Sequence, residues 1–236
     1  MFNFAFHFTK GNMKKLLIIL LSFISIQSFA QVMNEETKRK FTIGFDVFTD
    51  IWQDIPFNVD PKTINPGVNI FGTYNYMFGE SNVSFSPGIG LGVHNMFNSS
   101  FLYTDVSSSY FIPIEDSIPG LSYKKSKFTV TYFDIPFEIR YKSKSEFRAA
   151  IGFKFGFLIM GSTKYKGDDY LSENNDLVIY KKKKINYLEK NRYGFTARLG
   201  YKWLNLWGYY QLSTLFQKTK GPEMYPISVG LTIIPF

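Results

Sequence analysis

Cysteine is absent from the 236 residues, which removes disulfide frameworks, thiolate metal sites, iron–sulfur clusters and cysteine nucleophiles in one step, and a lipid-modified N-terminal cysteine with them. Histidine is almost absent. Of the two present, His7 precedes the region read as mature chain, and His94 alone, without carboxylates at ligand spacing, is no metal signal. Charged residues make up only 19%. Beyond residue 30 no apolar run reaches the about 20 residues of a membrane-spanning helix. A glycine-rich phosphate loop, an EF-hand spacing, an internal repeat and a nucleic-acid module are all missing. No cofactor is expected, therefore, and nucleic acid is not an expected partner.

What the chain has in quantity is aromatic side chains, with 26 Phe and 16 Tyr, a composition suited to strands that meet an apolar solvent on one side. Lys14 and Lys15 precede an apolar run from Leu16 to Ile26, and Ser28-Phe29-Ala30 stands before Gln31. That is the charged, greasy, small-x-small order of a secretory signal peptide. Met13 then reads as the start, giving residues 1–12 as a start-site extension, 13–30 as the signal peptide and 31–236 as one β-barrel domain. Three of the 27 basic residues and none of the 19 acidic ones precede residue 31, leaving +5 on the mature chain. This mild excess suits anionic lipid head groups better than nucleic acid.

The mature sequence alternates in polarity with a period of two, the mark of strands. Eight such segments are legible, at 41–49, 68–78, 83–97, 128–142, 147–159, 193–203, 206–217 and 225–236. In the third, Val83, Phe85, Ile89, Leu91 and Val93 share one face and Ser84, Ser86, Gly88, Gly90 and Gly92 the other. In the fifth, Phe147, Ile151, Phe153, Phe155, Phe157 and Ile159 oppose Arg148, Gly152, Lys154 and Gly156. The connections 79–82, 143–146 and 204–205 are tight, whereas 50–67, 98–127, 161–192 and 218–224 are long, and the two kinds alternate. An all-β, eight-stranded antiparallel up-and-down transmembrane barrel gives that pattern, with both termini and the short turns in the periplasm and the long loops outside. A soluble secreted β-sandwich is the rival reading.

Aromatic residues gather where this places the periplasmic-side membrane interface: Tyr76, Phe78, Tyr141, Tyr201, Trp203, Trp207 and Tyr209. They read as a girdle. Trp52, Phe97, Tyr193 and Tyr225 form a sparser outer ring. The parity of Ile227, Val229, Leu231 and Ile233 leaves the terminal Phe236 out of phase. Strand parity sends Asp46, Asp134, Glu138, Arg140, Arg148, Lys154, Arg198 and Lys202 inward, and in a barrel of eight strands such residues form an ion-paired plug rather than a pore lining. His94 continues an inward face near the outer rim, where it could serve as a general base. Lys181, Lys182, Lys183 and Lys184, the densest charge run, fall in the third outer loop, and could engage lipopolysaccharide phosphates or an acidic partner.

The fourth segment reads Tyr132-Phe133-Asp134-Ile135-Pro136-Phe137-Glu138-Ile139-Arg140-Tyr141, with Pro136 expected to mark a bulge or bend. This strand, with the Ala30-Gln31 leader end, resembles the PorT-like outer-membrane barrels of Bacteroidetes-type bacteria. The resemblance implies a small barrel in the outer membrane; the secretion role associated with the founding member is not carried over, since no motif here singles it out. The expected function is non-enzymatic, a barrel anchoring surface loops 98–127 and 161–192 for binding, adhesion or envelope assembly. Expected partners are outer-membrane lipids and lipopolysaccharide, the barrel assembly machinery during biogenesis, and an envelope protein. A lipid A-modifying enzyme centred on His94 and a transporter of small hydrophobic ligands are the alternatives.

Overall fold

A computed structural model describes residues 34–171 and 176–235. The expected extension 1–12, the signal peptide 13–30 and Phe236 lie outside the described residues. A short helix, α1 (Glu35–Lys40), opens the described chain, with Asn34 as its cap accepting from the Thr37 N–H at 2.8 Å. The chain then passes into β1 (Phe41–Gln53), β2 (Pro66–Tyr74) and its short continuation β3 (Tyr76–Met77), β4 (Val83–Asn98), a hairpin of β5 (Ser100–Thr104) and β6 (Ser109–Pro113), and a helical turn, α2 (Ile114–Ser117). The long pair β7 (Tyr123–Lys142) and β8 (Phe147–Asp168) comes next, then β9 (Leu177–Lys183), β10 (Asn191–Tyr201), β11 (Leu204–Gln211) and β12 (Tyr225–Ile233).

Eight of these strands close a ring in the order β1, β2, β4, β7, β8, β10, β11, β12, with β12 pairing back onto β1. Every neighbouring pair is antiparallel. Each of the eight expected segments contributes a barrel strand, but the seventh ends at Gln211, and residues 212–217, expected to continue it, turn into the head instead. Closure leaves no sheet rim, which is the condition for a β-structure to satisfy its backbone in lipid. Side chains that point outward form a continuous apolar belt, including Ile43, Phe45, Val47, Ile70, Ile89, Leu91, Ile151, Phe157, Phe195 and Leu231. Along β1 the belt runs from Phe41 to Ile51, about 25 Å once strand tilt is allowed for.

The register corrects several expectations. The turn between β10 and β11 is Lys202-Trp203, with Lys202 at φ 53, rather than residues 204–205. Lys202 is therefore exposed on the turn, with its ammonium over the Tyr201 ring, and is not a lumen residue. Trp207 pairs with Arg198 and Tyr209 with Thr196, so both aromatics share the inward face and are buried. The girdle consists of Tyr76, Phe78, Tyr141, Tyr201 and Trp203, all exposed. Trp52 likewise turns inward, its indole N–H donating to the Asn95 carbonyl at 3.1 Å. Pro136 shifts no register: its ladder to β8 is continuous, while the ladder to β4 is interrupted opposite it, between Pro87↔Phe137 and Gly90↔Asp134. A proline has no N–H to give there. The bulge lies higher, where Ile159 is the extra residue between Tyr132↔Leu158 and Thr131↔Met160.

β7 and β8 run on past the belt, and β9 pairs with the projecting part of β8. The described parts of the four long connections, residues 54–65, 99–122, 169–171 with 176–190, and 212–224, fold over this end as a head. Asp60 accepts from the Ser99 N–H, Lys220 from the Ser109 N–H, and Leu215 from the Glu189 N–H. Together with the shared core, these bonds join the four connections. Beneath them Val59, Leu102, Phe111, Ile185, Leu188, Leu215, Phe216 and Met224 pack on inward side chains of the strands, Met96, Phe128, Val130 and Tyr132, in one apolar core.

Candidate functional site

Below that core the barrel interior is polar, and strand parity builds it in two layers. The lower layer centres on Arg198 of β10. Its guanidinium reaches Asp46 of β1 at 3.1 Å, donates to Glu138 of β7, and donates from Nε to Thr232 of β12 at 3.1 Å. Asp46 is saturated further by Thr232 Oγ1 at 2.6 Å and Asn69 Nδ2 at 2.7 Å. Arg140 closes the layer through Glu138, at 2.7 Å from Nε, and Thr73, at 2.8 Å.

The upper layer centres on Arg192. It grips Asp134 with Nη2 at 2.6 Å and Nε at 3.0 Å, and Nη1 lies 2.6 Å from His94 Nε2. A guanidinium can only donate, so Nε2 is the acceptor and the ring proton sits on Nδ1. Nδ1 faces Asp50 at 3.0 Å, and Ser228 Oγ donates to the same carboxylate at 2.6 Å. Lys154 lies 3.5 Å from Asp134 and 3.9 Å above the Tyr209 ring. The pair Arg192–Asp134 fits only because two glycines flank it. A Cβ on Gly156 would fall on Asp134 Oδ1 and 2.9 Å from Arg192 Nε, and one on Gly92 would fall 2.8 Å from Arg192 Nη2.

Three buried carboxylates (Asp46, Asp134, Glu138) thus meet four cations (Arg140, Lys154, Arg192, Arg198), and the fourth, Asp50, joins them through His94, so the enclosed charges number four of each sign. Matched charge is what makes such burial tolerable, since a lone buried ion costs several kcal/mol. Between the layers a cavity of about 10 Å³ remains, room for about one water.

Of the residues expected inside, Asp46, Asp134, Glu138, Lys154 and Arg198 are enclosed and Arg140 lies at the lower edge. Arg148 stands lower, 3.9 Å from Glu146, and lines with Arg39 and Arg140 a 390 Å³ vestibule at the short-turn mouth. Asp50 and Arg192 belong to the network and were expected in loops. Their signal was parity: Asp50 continues the inward series of Asp46 and Phe48, and Arg192 that of Arg198. Among the described residues no three His, Asp or Glu side chains form a metal-binding group.

On the head, Lys181, Lys182 and Lys183 belong to β9, and Lys184 comes next at φ 60; all four are exposed. A 380 Å³ cleft opens between the β5–β6 hairpin and β8–β9, lined by Phe101, Tyr103, Tyr165, Tyr170 and Tyr180. The rings pack against one another, Phe101 on Tyr170 at 4.9 Å and Tyr170 on Tyr180 at 5.1 Å. Tyr180 donates to Asp169 at 2.6 Å.

No curated protein matches the chain in sequence. A family model does, over residues 29–217, which include seven of the eight ring strands and the whole head up to Gln217. The closed ring, the lipid-facing belt and this match agree: the chain belongs to the outer membrane protein beta-barrel domain family and is an outer-membrane β-barrel.

Proposed function

We propose that the chain is a non-catalytic anchor, exported by its leader and of the PorT-like kind, whose closed barrel holds a rigid head at the cell surface for binding. The observation that carries this reading is the double closure of the lumen, by the ion-paired layers below and the apolar core above. A conduit would need a continuous polar path, and the gap between the layers is about 10 Å³. The interior is also unsuited to hydrolysis. Both nitrogens of His94 are committed, Ser228 bonds the carboxylate rather than the imidazole, and the ring is 1% exposed. What the head offers instead is the aromatic cleft. Ring faces beside Lys182, which shares their side of the sheet, suit a saccharide or a peptide with anionic groups. Planar-bilayer recording of the refolded chain tests the anchor reading: an electrically silent membrane is expected, and discrete conductance steps would overturn it.

A further inference from the structure

The bulge at Ile159 has a consequence for the outside of the head. It reverses the facing of β8, so that Ser162, Lys164 and Lys166 point outward where odd-numbered residues did nearer the turns. Lys164 then lies directly between Lys127 of β7 and Lys181 of β9, and Lys166 beside Lys125. Lys183 pairs with Ser162 on the row beneath. Six ammonium groups therefore share one outward sheet face, with Lys62 close enough to act on Lys125. Like charges directly opposite one another destabilise a sheet, and among the described residues none of the six makes an ion pair. Lys125 and Lys127 are also held against the wall by the Phe97 ring, at 4.8 and 5.6 Å, and Lys127 by Asn95 at 2.8 Å. Burial there, together with the neighbouring lysine charges, holds both below the ordinary lysine range.

The height of this face identifies what neutralises it. The apolar belt ends at Val93, Thr131 and Met160. Lys183 stands one row above that edge and Lys127, Lys164 and Lys181 two rows above, about 5 and 10 Å along the barrel axis. Acyl chains that cover the belt bring their own head groups to that level. We propose that the Lys125, Lys127, Lys164, Lys166, Lys181 and Lys183 face binds the phosphate of a phosphorylated outer-leaflet lipid whose acyl chains lie on the belt below. Ammonium groups recognise phosphate as point charges, so several are needed where one arginine fork would serve. This rests on the membrane location of the barrel and not on the cleft, and the two fail separately.

Native mass spectrometry of the folded chain in detergent, with monophosphoryl lipid A and its dephosphorylated counterpart as probes, tests it. The phosphorylated lipid is expected to be retained at least roughly tenfold more strongly, since several ammonium groups act on one phosphate. K127Q/K164Q/K181Q should lower it to the dephosphorylated level, K127R/K164R/K181R should not, and K182Q/K184Q, off the face, should leave it unchanged. Heat-modifiable migration on a gel reports folding, and K181Q/K183Q, confined to β9 outside the ring, carries the same expectation should the triple variant not fold. Equal retention of the two lipids, an unaffected triple variant, or equal loss in K182Q/K184Q would overturn the proposal. So would displacement of the lipid by millimolar inorganic phosphate, the mark of a free-anion site, or by polyglutamate, the mark of an acidic protein surface.

Discussion

Asp134 is the residue on which the upper interior layer turns, because it alone answers both Arg192 and Lys154. Replacing it by Asn keeps the shape and removes the charge, leaving two buried cations short of a counter-ion. Removal of one partner from a buried pair costs about 3–5 kcal/mol. Asp134→Asn is expected to lower the stability of the heat-modifiable form in urea by that amount. Removing both sides of the bidentate pair, as Asp134→Leu with Arg192→Met, should recover much of the loss, since paired apolar replacements are often neutral. A double variant as weak as the single one would mean that Arg192 holds the layer through His94 or Tyr132, whose ring lies 4.0 Å from the guanidinium carbon. Parity made Asp134, Glu138, Lys154 and Arg198 legible in the sequence. It would have found Asp50 and Arg192 as well, had β1 and β10 been extended to their true ends. Lys202 was misplaced for a different reason. Turn position is fixed by backbone conformation at a single residue, and a lysine at positive φ leaves no periodic trace.

At the scale of elements, alternation located every ring strand because a lipid-facing side chain and an enclosed one differ sharply in polarity. It failed where that contrast fades. Above the belt, β7 and β8 meet water on one side and the head on the other, and Lys125, Lys127, Lys164 and Lys166 read as loop composition although they continue the strands. The bulge hides in the same way, since an added Ile among apolar residues changes no composition and only reverses the facing of the residues after it. The absence of native cysteine lets the reversal be measured directly. In single-cysteine variants of the folded barrel, Lys164→Cys and Lys166→Cys should react quickly with a membrane-impermeant maleimide. Gly161→Cys, placed under Ile185 and Leu188, should react slowly. Fast labelling at 161 with slow labelling at 164 would mean that β8 keeps its lower facing throughout, and the lysine face would not exist.

For the whole molecule, the question is whether head and barrel form one cooperative body. Leu188 reads as loop and Leu215 and Phe216 as the end of the strand 206–217, so none is legible as head core, because a core built from four connections shows itself only after the chain has closed. Their packing joins the head to the strands. Phe216 is buried, faces Phe111 and Phe128 with ring centres 6.3 and 6.4 Å away, and forms an isolated bridge with Leu188. Truncating such a side chain costs about 3–5 kcal/mol, and the loss falls on the contact that ties residues 212–224 to residues 169–190. Protease added to intact cells should leave the described parts of the connections uncut, because among the described residues they are held by inter-loop hydrogen bonds and a shared core. Phe216→Ala should expose both connections together, giving cuts in each at similar rates while heat-modifiable migration of the barrel persists. Cuts confined to residues 212–224 would show that the connections open independently and that the head is an assembly of separate loops. Loss of migration altogether would show instead that the barrel depends on its head.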